Sequence, residues 1–347
     1  MKFSIFYTLI LSALFLISCK SKKEVINAPT IDGKPALVAF VDSVQASEAI
    51  IADDVDGFFS TISALEMNIQ MKNPAEPGTR EDALKAFIPY LKTQVSNWSS
   101  SEKLAMLEVF KKVKQLCDTI NPRIFPGNLR LIKIKNGHYG NDVYYTRGNN
   151  IMIPENIFEQ SDMERQVPVM VHEVFHVLSR QNPQLRHDLY KLIGFEKADK
   201  PIKLNKILEH FLLTNPDGVS YQYYIQLEAQ GREVKALPLI TSKWARYKPD
   251  LPAFFDYLHF DLYKLDDHGA NYMATSTPQG RSLIPIDETP TFFTKIKDNT
   301  QYIIHPDEIM ADNFMLTLQA FSNGNYTKFS PEGKALVDSV LLRLQAL

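Results

Sequence analysis

The pentapeptide His172-Glu173-Val174-Phe175-His176 constrains this chain more than any other stretch, because its two imidazoles can act together only on a helix. Each residue of an α-helix turns by about 100°, so side chains four apart project to one side, one turn from each other. His172 and His176 can then grip one divalent ion with Glu173 on their flank, the HExxH pattern of zinc chemistry, in which the glutamate serves as general base. The neighbours suit a helix. Met163, Val167, Met170, Val171, Val174 and Leu178 fall on the arc opposite His172, which provides an apolar face for a core. The helix start has two readings: Ser161 with Glu164 reads as a capping box, whereas Pro168 fits the first turn of a helix that opens later.

The first residues hold one lysine and an apolar run from Phe3 to Ile17, too short and wrongly flanked for a membrane span, which predicts an export signal over residues 1–18. The run closes with Leu16-Ile17-Ser18-Cys19, which resembles the lipobox of bacterial lipoproteins. That resemblance implies cleavage before Cys19, lipid on Cys19, and a place in the bacterial cell envelope, lipid-anchored at the periplasmic face or the cell surface. Residues 19–38, with Lys20, Lys22 and Lys23, read as a lipidated tether. Cys117 is the one cysteine beyond Cys19, so no intramolecular disulfide is available and the core must supply stability. A net charge of -2 with 22% charged residues and no basic stripe argues against nucleic acid as a partner.

Helical periodicity runs through residues 40 to 72 and again from Arg80 to Asn121, where Ser99-Ser100-Ser101-Glu102 predicts a break and a serine cap on the second helix. Asp53, Asp54 and Asp56 read as a solvated face, the alternative being a carboxylate metal cluster. After Pro122 the period becomes two, at Leu129, Leu131, Ile132 and Ile134, then at Val143 to Thr146 and Ile151 to Ile153, with a turn at Gly148-Asn149-Asn150. Beyond the motif, residues 184–194 and 202–213 read as helices and Asn215-Pro216-Asp217-Gly218 as a tight turn. A strand from Val219 to Glu228 turns at Gln230-Gly231 into 234–240 as a hairpin, and 254–265 reads as another strand. Residues 39–347 thus form one α+β unit with a helical N-terminal part over 39–121.

A catalytic zinc ordinarily keeps three protein ligands and an open position, so a third ligand is required. The metzincin continuation is absent, since Ser179 and Asn182 stand where it needs glycine and histidine. The segment His305-Pro306-Asp307-Glu308-Ile309-Met310-Ala311-Asp312 opens a helix at Pro306 and sets Glu308 and Asp312 on one face. Here the chain resembles the gluzincin metallopeptidases, in which HExxH is followed by a ligand glutamate and, four residues on, an aspartate that orients a ligand histidine. The resemblance implies a zincin-like fold, a mixed or antiparallel sheet packed on the active-site helix with additional N-terminal helices. It makes His172, His176 and Glu308 the ligands of Zn2+, Asp312 the partner of a ligand histidine, and peptide or protein the substrate. Glu196, at a thermolysin-like spacing, and Glu209-His210 remain rivals for the third position.

In that chemistry Glu173 takes a proton from a zinc-activated water and returns it to the leaving amine. The oxyanion needs a second donor, for which His305, Tyr302 and Tyr272 are the candidates. The segment Tyr144 to Ile153 precedes the motif helix and reads either as an edge that pairs with extended peptide or as a plain buried strand. The alternative function is a lipoprotein that retains the fold to bind peptide or glycan without hydrolysis. Glu173 argues against it, since a metal site without chemistry needs no base there.

Overall fold

The computed structural model describes residues 30–31, 34–35 and 37–347 apart from 54, 56, 160 and 161, so the export signal, Cys19, Asp54, Asp56 and Ser161 lie outside the described residues. No described helix is long and apolar enough to cross a membrane. The stretch 40 to 72 is more broken than its periodicity predicts, with helices Ser43–Ala49, Phe58–Thr61 and Ala64–Gln70. Gly57, at a left-handed φ of 69°, and the capping residue Ser63 impose the interruptions. Asp53 accepts the Phe59 N–H at 2.9 Å at one of these breaks instead of lying on a solvated helix face. Helices Arg80–Lys92 and Ser100–Ile120 flank the expected serine break, where Ser99 and Glu102 form a reciprocal capping box.

A five-stranded sheet comes next. Its central strand Arg130–Ile134 runs parallel to Ala39–Phe40 and to Asn150–Pro154, and antiparallel to Val95–Ser96. Tyr145–Arg147 forms the edge, antiparallel to Asn150–Pro154. Leu131, Ile151 and Ile153 share a core with the motif helix, while Ile132, Ile134 and Met152 pack against the N-terminal helices. Burial of both faces explains why the central strand carries apolar residues at consecutive positions.

A seven-stranded sheet follows the motif, with strands ordered Phe195–Lys197, Tyr223–Ala229, Arg232–Ser242, Leu258–Asp267, Tyr272–Ala274 and Ile202–Leu204, and with Leu212–Leu213 added to Arg232–Ser242. Its main hairpin turns through Gln230 at φ 52° and Gly231 at φ 69°, as a two-residue turn of matching twist requires. The expected helix over 202–213 is a correction: only Lys206–Phe211 is helical, opened by Asn205 accepting the Leu208 N–H at 2.8 Å, with strands on either side. Strand pairing at both ends outweighs local propensity there. The expected strands also start late, at Tyr223, and at Leu258 after the short turn Phe254–Tyr257.

The helices Gln166–Gln181, Pro306–Asn323 and Pro331–Gln345 pack with Ser100–Ile120 around one core that includes Val174, Phe175, Leu178, Met310, Phe314 and Val340. The rings of Phe175 and Phe314 meet with centroids 5.4 Å apart. Helices and two mixed sheets together make an α+β architecture.

Candidate metal centre

The motif helix begins at Gln166, so Pro168 sits in its first turn, where a missing N–H breaks no helical hydrogen bond. A short 3-10 turn capped by Asp162 precedes it. Met170, Val171, Val174 and Leu178 are buried in the core, and Met163 and Val167 pack partly against it, which leaves the histidine face toward a cleft. Glu173 and His176 are only 5% and 1% exposed.

The helix Pro306–Asn323 faces them. Pro306 occupies its first position and His305 caps it, the ring Nδ1 accepting the Asp307 N–H at 3.1 Å. Glu308 Oε2 lies 3.1 Å from His172 Nε2 and 3.6 Å from His176 Nε2. Asp312 Oδ1 lies 2.9 Å from His172 Nδ1, and its other oxygen accepts from the Thr300 hydroxyl. Asp307 Oδ1 is 3.8 Å from His176 Nδ1. Each imidazole therefore turns one nitrogen to Glu308 and the other to a carboxylate, the geometry by which an outer acid fixes the tautomer of a ligand histidine. Asn215 donates to Glu308 Oε1 at 2.8 Å and leaves Oε2 facing the rings.

Asp217 joins this cluster without any forewarning in the sequence. A ligand atom of Asp217 lies within 4.8 Å of those of His176 and Glu308. Thr146 donates both its N–H and its hydroxyl to Asp217 Oδ1, each at 2.6 Å. Arg180 reaches the Asp217 carbonyl at 3.3 Å and the Thr146 hydroxyl at 3.1 Å, which ties the loop to the edge strand. A Cβ at Gly218 would overlap the His305 ring, so the neighbouring position demands glycine. The signal open to a sequence reader was an acid bracketed by Pro216 and Gly218, which turn chemistry alone already explains.

The charges are strongly coupled. Burial alone would lower the His172 imidazole, but the hydrogen bonds to Asp312 and Glu308 raise it to about 9. Burial opposes the charged form of His176 too, yet Asp217, Glu308 and Asp307 hold it well above its usual value. Glu308 is driven in the opposite direction: burial favours its neutral form, and the two imidazoles outweigh this and hold it well below the carboxylate range. Burial, then the charge of Asp217, pushes Glu173 up to about 8.

The rivals for the third position lie elsewhere. Glu196 is exposed on a strand of the large sheet and accepts from the Tyr224 hydroxyl at 3.0 Å, while Glu209 and His210 are exposed on the short helix Lys206–Phe211. Of the three oxyanion candidates, Tyr302 lines the cleft and stacks on His172 with ring centroids 6.1 Å apart. His305 is occupied as a helix cap and borders a separate cavity with Arg186 and Tyr190. Tyr272 belongs to the large sheet, where it donates to Asp199 at 3.0 Å and accepts from Lys235 at 2.5 Å.

The cleft over the cluster encloses about 270 Å³, with Tyr144, Val169, Phe255 and Met315 among its walls. Both ring nitrogens of His176 and Glu173 Oε2 are buried without a hydrogen-bond partner. Buried polar atoms are normally satisfied, so this orphaned set fits a cation that takes nitrogen and oxygen donors. No family model, no curated protein and no solved structure matches this chain. Fold and cluster define an α+β protein with a buried imidazole and carboxylate centre that could hold a metal ion.

Proposed function

We propose that the chain is a zinc-dependent peptidase of gluzincin type with a zincin-like fold, exported and lipid-anchored through Cys19 in the bacterial envelope. The observation that carries the reading is the convergence of His172 Nε2 and His176 Nε2 on Glu308 Oε2, with the orphaned carboxylate of Glu173 beside them. Two imidazoles, one carboxylate and a cleft on the remaining side suit catalytic zinc. Held by His172, His176 and Glu308, zinc would supply the positive charge that acidifies a water from a pKa of about 16 to about 7 and polarises a carbonyl.

The chain's own groups do the rest. Glu173 takes the water proton and delivers it to the leaving nitrogen, so one C–O bond forms as the C–N bond breaks, with no redox partner. A cation beside Glu173 would favour its ionised form, against the burial that raises it. Tyr302 keeps 39% of its surface exposed at the cleft, yet burial of its phenol and the charges of Glu308, Asp217, Glu173 and Asp312 hold it protonated. It can therefore donate to an oxyanion. Asp142 to Tyr144, which line the cleft and lead into the edge strand Tyr145–Arg147, offer main-chain pairing to an extended peptide.

Metal content and cleavage of a mixed peptide library test the reading. Purified protein should carry about one zinc per chain, and Glu173→Gln should reduce cleavage by roughly 10²- to 10⁴-fold while keeping the metal. Equal activity in that variant, or no bound zinc, would remove it.

A further inference from the structure

Asp217 performs a task that the metal reading leaves open. Its Oδ1 consumes the N–H and hydroxyl of Thr146, in the middle of the edge strand Tyr145–Arg147. That N–H points away from the neighbouring strand, so it is the group an extended peptide would have used. Pairing along this edge therefore stops at Thr146. The obstruction is itself a carboxylate, one atom of which lies within 4.8 Å of ligand atoms of both His176 and Glu308.

Resting on the peptidase reading, we propose that Asp217 receives the free α-ammonium group of a peptide, so that the centre removes residues from the amino end of its substrate. Strand direction and charge agree on this. A peptide lying antiparallel to the strand brings its amino end toward Thr146 and Asp217, whereas a parallel one would press its terminal carboxylate against Asp217. Distance agrees as well. An α-ammonium nitrogen sits about 2.5 Å from its own carbonyl carbon, two bonds away, whereas a lysine ammonium lies several bonds farther out. An acid this close to the hydrolytic centre suits the former. The cleft is lined by Asp142, Glu173, Asp217, Glu308 and Asp312 with no lysine or arginine among the described lining residues, so no such side chain stands there to pair with a terminal carboxylate. Glu173 Oε2, on a side chain 5% exposed, also faces this cleft without a hydrogen-bond partner. Hydrolysis adds water across the first peptide bond, releasing one amino acid and a peptide shortened at its amino end.

Calorimetric titration of the zinc-loaded Glu173→Gln protein with Leu-Gly-Gly and with its N-acetyl form tests the proposal without turnover. The free amine should bind at least ten times more tightly, and adding Asp217→Asn should abolish the difference. Equal binding of the two, binding of neither, or a preference that survives Asp217→Asn overturns it. The acetylation comparison needs no change at Asp217, so it decides even if that variant fails to fold. Turnover separates the two claims. Internal cleavage of N-acetylated peptides by the unsubstituted protein would overturn the amino-end assignment and leave the peptidase standing. Amine-selective binding with no hydrolysis of either peptide would do the reverse.

Discussion

Asp312 and Asp307 stand behind the two imidazoles at 2.9 Å and 3.8 Å, so the closer carboxylate should bear more of the metal affinity. We expect Asp312→Ala to weaken zinc binding by about 10- to 100-fold in chelator competition, with a smaller loss for Asp307→Ala. The reverse order would mean that the 3.8 Å contact tightens when metal binds. A second residue sets a pH dependence away from the centre. Glu66 is fully buried and accepts the Thr214 N–H at 2.7 Å and the Gln70 amide at 2.9 Å. Burial pushes its carboxyl up from 4.5 to about 7. Because the folded value exceeds the unfolded one, its contribution is complete below about pH 4.5 and is lost as pH rises to about 7, by up to about 3 kcal/mol. Urea midpoints at pH 5 and pH 8 should show this fall in the natural protein and a shallower one in Glu66→Gln. At this scale the pairing of His172 with His176 and the placing of Glu308 and Asp312 on one face were legible, because helix geometry is local. Asp217 was not, since its role depends on Thr146, 71 residues away.

Between elements, the centre depends on how the helices Gln166–Gln181 and Pro306–Asn323 press together. Phe175 and Phe314 fill that contact and are fully buried. Phe314→Ala should cost about 3–5 kcal/mol, read from chemical unfolding, and should lower zinc affinity by letting the helices part. Unaltered affinity in a destabilised but folded variant would show that the centre tolerates their movement. A milder test is Ser99→Ala, which removes one half of a capping box on an exposed helix end and should cost about 1 kcal/mol. The serine break could be read in advance because capping chemistry is written in neighbouring residues. The region 202–213 could not, because the strands Ile202–Leu204 and Leu212–Leu213 form against partners distant in sequence.

For the whole molecule, a metal held by the centre would link binding to folding, since the centre joins a helix in the middle of the chain to one 136 residues later. A ligand that binds only the folded state stabilises it by about 4 kcal/mol at a thousandfold excess over its dissociation constant. Stripping the metal with a chelator should therefore lower the melting temperature by several degrees, and added zinc should restore it. An unmoved transition would argue that the cluster holds no ion. The class, α+β, was readable from the change of periodicity along the chain. The order of strands in the two sheets was not, because register is decided by long-range pairing that a single sequence does not display.

The long interval before Glu308 also sets a schedule. On the peptidase reading, a chain whose synthesis has not reached residue 305 carries His172, Glu173 and His176 but lacks the acids that would complete the grip on an ion. On that reading hydrolysis would begin only once the segment after His305 had docked, so an unfinished molecule would spare its neighbours.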